Sequence, residues 1–525
     1  MKRTVRNALA LAAGLAVLAL FMALCLRGIR MSTRVPVTAQ VAKALFAFMG
    51  VMTAVFGGVF FLLKKKPSFA LSAAAVFFAA GLVFIILIPS FSSPDERGHF
   101  LAAYELSDKL MGTPSRSEDG RVMVRAADAF SPTGDMHDAY LSENVSGDDY
   151  AFIRANLFTK PAGSGMLAAE SLINGPSQKF SLARLPQAIG ITLARLFGAS
   201  YPMLLYMGRF FGLLAWTALL YAALRLYPKG QKVMAACAML PMFVQLAGTY
   251  SLDACLNACA FVYVAYVLRL RDQSGSVTGR QSLLLVMLTF ACTLWKPVQI
   301  LLALLCFLIP ARHFGSRKQY WLTAGGCLAA LFAGQLAGNL SSLSWVLTST
   351  NAELSWQEGS ARTLSYLLAH PAETFLRYAD TVRTMGDYHF MTFTGMYPAC
   401  IDPEIAFYGV QAAGLSVLLF LSSVPEAGQT PVLAGWKERG LAVLLVLGLV
   451  LACYMSMDVG WTPETEWQVL GIQGRYYLCV APVLLFAAGG LGMSVRRSRP
   501  YALLMALWVL DVTVVMRILE RIAVR

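Results

Sequence analysis

Apolar stretches of roughly twenty residues recur along the chain, separated by short loops rich in Lys and Arg, which is the pattern of membrane-crossing helices. They fall at roughly 8–26, 41–63, 69–89, 203–226, 231–249, 252–270, 281–295, 297–311, 320–340, 403–424, 439–457, 474–493 and 500–518, about thirteen spans. A bilayer offers a spanning backbone no water, so helices, which satisfy their own peptide groups, are the expected form. The expected fold is therefore an all-α integral membrane bundle of about thirteen transmembrane helices with large outer loops. The seventh and eighth spans are short, and Lys296-Pro297 divides them. A proline there ends or kinks a helix.

The loops give an orientation. Lys64-Lys65-Lys66, Arg225/Lys229/Lys232, Arg269/Arg271/Arg280, Arg312/Arg317/Lys318, Lys437/Arg439 and Arg496/Arg497/Arg499 share one side, which an excess of positive charge marks as cytoplasmic. Arg27, Arg30 and Arg34 dissent and are outweighed. The N-terminus is then cytoplasmic, and the polar segments at about 90–202, 341–402 and 458–473 face outward. Within them, 180–198 (with Arg184, Pro186, Gln187 and Arg195) and 371–385 read as amphipathic helices at the membrane interface. The second sets Phe375, Ala379 and Val382 on one face and Glu373, Arg377, Asp380 and Arg383 on the others. Residues 1–66 form an accessory helix pair, 67–495 the membrane core, and 496–525 a last helix with a basic tail.

Composition agrees with this picture. Of 525 residues, 57% are hydrophobic and 14% charged, with a mean hydropathy of +0.60. The net charge of +14 sits between apolar runs, as topology signals do, and is no nucleic-acid footprint. All of the ten cysteines but Cys400 lie in apolar runs, without a C-x-x-C, so neither a disulfide framework nor a zinc site is expected. Cys255 and Cys259 share a helix face and read as packing residues. The basic start followed by an apolar run resembles a signal peptide but lacks a clear cleavage site, and reads as a retained helix.

Candidate chemistry gathers at the outer ends of the spans. Ser93-Pro94-Asp95-Glu96 directly follows a span. It has the form of a capping box that starts a helix, and it also puts Asp95 and Glu96 one turn from His99. Carboxylate and imidazole there can share a proton or hold a divalent cation; Mg or Mn on Asp95, Glu96 and His99 is the metal candidate, and no motif demands a cofactor. The same topology brings Asp253, Lys296, Arg475 and, two turns down its helix, Arg209 to that outer level. Each has an ordinary explanation as a helix cap or as a basic side chain reaching for headgroups. Together, acids that can take a hydroxyl proton stand beside cations that can hold a lipid-linked phosphate.

The order of Pro94-Asp95-Glu96…His99-Phe100, Tyr206-Met207-Gly208-Arg209, Leu240-Pro241-Met242 with Ser251-Leu252-Asp253, Trp295-Lys296-Pro297 and Gln473-Gly474-Arg475-Tyr476 resembles a bacterial family of polytopic membrane proteins, domain-of-unknown-function family 2142. The resemblance covers about 80–495. That family in turn resembles the GT-C glycosyltransferases, which carry an acidic motif in the first large outer loop and take sugar from a polyprenyl-phosphate donor. The likeness implies a GT-C-like inverting transferase in the bacterial cytoplasmic membrane, with its site outside. Asp95 or Glu96 is then the base, His99 and Asp253 support it, and Arg475, Lys296 and Arg209 bind phosphate. Its partners are the bilayer, the lipid-linked donor and a glycan or protein acceptor. Two helices precede the one that leads into the acidic loop, a departure from the family pattern. A transporter or flippase of a lipid-linked or anionic solute is the alternative of another class. A glycan polymerase or ligase, or a non-catalytic envelope scaffold, also fits the sequence.

Overall fold

A computed structural model describes residues 67–91, 93, 95–128, 147–161, 165–169, 182–348, 359–395 and 408–524, with scattered positions between 12 and 65. The expected spans at 8–26 and 41–63 lie largely outside the described residues. In chain order the helices are α1 (Phe69–Leu87), α2 (Glu96–Met111), α3 (Gly147–Asn156), α4 (Leu185–Leu196), α5 (Tyr201–Leu226) and α6 (Gln231–Ala238). Then come α7 (Pro241–Ala247), α8 (Leu252–Asp272), α9 (Gly279–Thr293), α10 (Ile300–Ala303), α11 (Arg317–Thr348) and α12 (Leu364–Ala369). The last are α13 (Pro371–Thr394), α14 (Tyr408–Ser423), α15 (Trp436–Gly460), α16 (Ala481–Ala488) and α17 (Pro500–Val524). One small antiparallel pair, β1 (Met123–Arg125) with β2 (Met166–Ala168), lies in the first long polar segment.

Local chemistry sets the starts. Ser68, Ser200 and Ser251 each cap a long helix through the side-chain oxygen, which takes up one of the backbone donors a helix start leaves over. Thr278 and Gln281 form a reciprocal capping box at α9.

Among the described residues seven helices are long and apolar enough to cross a membrane: Phe69–Leu87, Tyr201–Leu226, Leu252–Asp272, Arg317–Gly338, Trp436–Gly460, Gly474–Gly492 and Pro500–Ile518. The sixth is α16 with a 3-10 turn at each end. This corrects the expectation of thirteen, and the reasons are local. The apolar run at 231–249 breaks at Leu240-Pro241 into α6 and α7. The run after Pro297 forms short 3-10 and α turns over 297–308. Helix α9 is too short, at 15 residues, and α14 has 16 among the described residues. Hydropathy adds up composition; it does not register a proline that removes an amide donor in mid-run.

The bundle has two chemically distinct ends. At the basic end Lys232 Nζ donates to Val424 O (2.9 Å), Arg271 Nη2 to Val432 O (2.6 Å), and Tyr227 Oη to Asp272 (2.6 Å). Of the basic loops expected on one side, those around Lys229, Arg271 and Lys437 meet there. Helix α8 runs through the centre and is the most buried of the seven spans. Phe77 packs edge to face on Phe243 (5.8 Å between centroids), whose ring is tilted against Phe261 of α8 (5.2 Å). Asp253 in the first turn of α8 therefore stands at the opposite end, in the middle of the bundle's cross-section.

The first long polar segment folds down onto that end. Arg195 of α4 pairs with Asp108 of α2 (2.8 Å), both buried, and its guanidinium lies over Tyr104 (4.6 Å). Tyr104 donates to Asp128 (2.6 Å) and accepts from the Arg125 amide (3.0 Å), tying β1 and the turn after it to the same helix. The second long polar segment is pinned by Arg377 of α13, which forks onto Asp458 of α15 with two 2.9 Å bonds, both side chains fully buried.

Candidate functional site

Helix α2 does not start with the expected capping box. Its N-cap is Asp95, whose backbone is left-handed (φ 61°) and whose side chain caps nothing. Ser93 accepts instead from Gln245 (3.1 Å). A left-handed backbone is uncommon for a residue with a Cβ, though Asp tolerates it better than most, and such conformations cluster where surrounding structure imposes them. The twist separates two carboxylates that are neighbours in sequence.

Glu96 turns into the core. Arg209 Nε and Nη2 bond its two oxygens at 2.8 and 2.7 Å, and neither side chain has any exposure. Glu96 also accepts from the amides of Phe91 (3.0 Å) and Tyr250 (3.2 Å), while Arg209 donates to Ile88 O (2.6 Å) and Pro89 O (3.1 Å). One ion pair thus fixes the end of α1, the start of α2, the turn before α8 and the shaft of α5. The Gly208 beside it makes room for Tyr250, whose ring would meet any Cβ at that position.

Asp95 turns the other way. Its side chain is 59% exposed and accepts from Arg475 Nη2 at 3.2 Å. Arg475 is buried, and its Nε faces Asp253 Oδ2 at 3.6 Å, with no hydrogen-bond partner for that nitrogen among the described residues. Lys296 Nζ sits 2.5 Å from the other oxygen of Asp253 and 4.6 Å from the ring centroid of Tyr476. Lys296 reaches this place because it is an extended residue between α9 and the Pro297 turn. Arg475 does so because Gly474 lets its turn press against the backbone of α13 at His389, and the Gly474 amide donates to Thr392 Oγ1 (2.7 Å). Beside these charges lies a cavity of about 180 Å3 lined by Leu256, Pro297, Val298, Cys453, Met457 and Cys479 as well as the polar groups.

His99 completes the set through a partner the sequence reading passed over. Arg184, buried just before α4, places Nη2 2.7 Å from His99 Nδ1. A guanidinium only donates, so Nδ1 accepts and the neutral ring carries its proton on Nε2. Burial, then Arg184, hold the His99 pKa well below the usual imidazole value, and Asp253, Arg475 and Lys296 are close enough to act on it. In place of the one helix face expected, Asp95, Glu96 and His99 thus go to Arg475, Arg209 and Arg184. The candidate cation set is not assembled, and no group of three metal-ligating side chains occurs among the described residues.

The pKa shift has a testable sign. A histidine whose folded pKa is depressed favours folding fully above its unfolded value of about 6.5, and that contribution is lost as pH falls and the unfolded chain gains a proton the native site refuses. Lowering the pH from 7.5 to 5 should reduce the thermal midpoint more for the wild type than for His99→Asn. Parallel pH profiles for the two would contradict the neutral ring.

Lys296 and Arg475 thus stand against Asp253 in the lining of a largely apolar cavity, an excess of one positive charge there. Such a place suits an anion that carries an apolar chain. The structure is a helical membrane bundle with a charged cluster at one end of its central helix. The chain belongs to the DUF2142 family of predicted membrane proteins, whose family model matches residues 77–485. No curated protein and no solved structure matches it.

Proposed function

We propose that the chain is a glycosyltransferase of the bacterial cytoplasmic membrane. It moves a sugar from a polyprenyl-phosphate donor to a glycan or protein acceptor of the cell envelope, on the outer face, with its N-terminus in the cytoplasm. One observation carries this reading: an exposed carboxylate, Asp95, stands 3.2 Å from Arg475, with Lys296 alongside and an apolar-lined cavity next to both. The donor phosphate takes up the Arg475 Nε and Lys296, and the first isoprene units lie along Leu256, Val298, Met457 and Cys479. Asp95 removes the proton of the acceptor hydroxyl as its oxygen bonds to the anomeric carbon. The bond from that carbon to the phosphate oxygen breaks on the opposite face, inverting the centre, and the departing phosphate keeps the electron pair against the two cations. Asp253 holds the cations in place. Glu96 and Arg209, expected as base and phosphate ligand, act in this scheme as positioning residues, because their side chains are spent on each other.

A second reading has its own support. The break after α9 supplies Lys296 to the cluster and a second break, at Leu240-Pro241, divides α6 from α7, and interrupted helices around a charged centre are a transporter's device. Purified protein in proteoliposomes, given a panel of labelled polyprenyl-phosphate sugars and a mixed envelope-glycan acceptor, separates the two. The expected result is consumption of one donor with release of polyprenyl phosphate. Movement of intact donor between leaflets without consumption would replace this reading with the second.

A further inference from the structure

We propose that α13 lies in the lipid boundary at the site end of the bundle, and that this contact with phospholipid sets the position of Arg475. Helix α13 presents three different strips. Its inward strip carries Arg377, spent on Asp458, and Thr381, which accepts from the Val469 amide (3.0 Å). A second strip repeats an acid every seven residues, Glu373, Asp380 and Asp387, as a helix edge facing headgroups and water does. The third is apolar and uncovered: Phe375 is 71% exposed, Val382 53%, with Leu376 and Phe390 beside them. A helix bathed in water would turn these strips the other way, burying Phe375 and exposing Arg377.

What covers the apolar strip is indicated by its neighbours. Helix α15 crosses the membrane with Leu444, Leu447 and Leu451 exposed along its shaft. Its last turn holds Asp458, the partner of Arg377, so the lipid-facing surface of a span leads directly to α13. Trp461 and Trp467 follow, both exposed, where aromatic side chains mark a membrane–water boundary. The Arg377 guanidinium lies 6.0 Å from the Trp467 ring centroid. At its other end α13 grips the turn that carries Arg475, through Thr392 and the close approach of Gly474 to His389. One rigid helix of 24 residues therefore joins the lipid surface to the charged cluster.

Two measurements test this in nanodiscs of phosphatidylcholine. Spin labels go on Phe375→Cys, Val382→Cys and Asp387→Cys, with the wild type as background; the described native cysteines are buried or half-buried. Labels at 375 and 382 should be reached by oxygen and shielded from a water-soluble nickel chelate, and the label at 387 the reverse. Ready access of the chelate to 375 and 382, or immobilised labels shielded from both probes, would put water or protein on that strip and overturn the proposal. Hydrogen exchange of the peptide spanning 471–476 tests the link to Arg475. It should quicken several-fold in Phe375→Asn/Val382→Asn, whose substituted side chains are exposed and leave the core intact. Unchanged exchange would separate the lipid contact from the site.

Discussion

Arg209→Met is expected to leave almost no folded protein in the membrane. The guanidinium it removes makes four bonds, two to Glu96 and two to the carbonyls of Ile88 and Pro89, all in a place without solvent. Breaking one side of a buried ion pair strands the other charge and costs about 3–5 kcal/mol. A whole domain has only about 5–15 kcal/mol of stability, so the loss is decisive. Glu96→Met should fare nearly as badly, since it also orphans the amides of Phe91 and Tyr250. The double variant Glu96→Met/Arg209→Met should recover part of the yield, because neither charge is then left alone, though four backbone groups still lack partners. Arg209→Lys keeps the charge, loses the fork, and should fall between. The check is the monodisperse fraction of extracted protein and its thermal midpoint. Wild-type stability in Arg209→Met would mean that the pair does not hold the start of α2 and the turn before α8 to the bundle.

Much of this arrangement can be read from the chain, and the limits are instructive. Six of the seven spans announce themselves because a long apolar run without an internal proline has one stable form in lipid; the other, Gly474–Gly492, carries Pro482 and is divided by 3-10 turns. The basic loops then assign ends, and that alone places Asp95, Asp253, Lys296 and Arg475 together; in the structure they are linked by contacts of 2.5–3.6 Å. The sequence favours Asp95 over Glu96 as the base because a capping box would occupy Glu96, but that box does not form, and a left-handed N-cap shares the same letters. What divides them is Arg209, more than a hundred residues away. Arg184 hid in a stretch whose composition suits a helix at the interface, and only the folded chain shows its guanidinium on His99. The Arg377–Asp458 pair joins two segments that the sequence shows only as an amphipathic helix and the end of a span. Pairings of this kind are set by tertiary packing, and no local period encodes them.

Asp95→Asn is expected to abolish sugar transfer while the protein folds and still binds its lipid donor. The substitution is unusually clean. Asn tolerates a positive φ at least as well as Asp, so the left-handed N-cap at 61° is kept. The side chain is 59% exposed, so the change leaves the buried core untouched. What is lost is the one group of the cluster that is both basic and open to an incoming hydroxyl. Positioned general bases contribute about 10²- to 10⁴-fold, and transfer should fall by that factor at saturating donor. The donor itself should bind as well or better, because Arg475 no longer shares its Nη2 with a carboxylate. Asp95→Glu should recover little, since the longer arm moves the carboxylate out of line with Arg475. Single-turnover assays with labelled donor, beside a binding measurement with polyprenyl phosphate alone, separate the two effects. Transfer that persists in Asp95→Asn at the wild-type rate would remove Asp95 as the base. Transfer and binding lost together would assign Asp95 to holding Arg475 in place rather than to taking a proton.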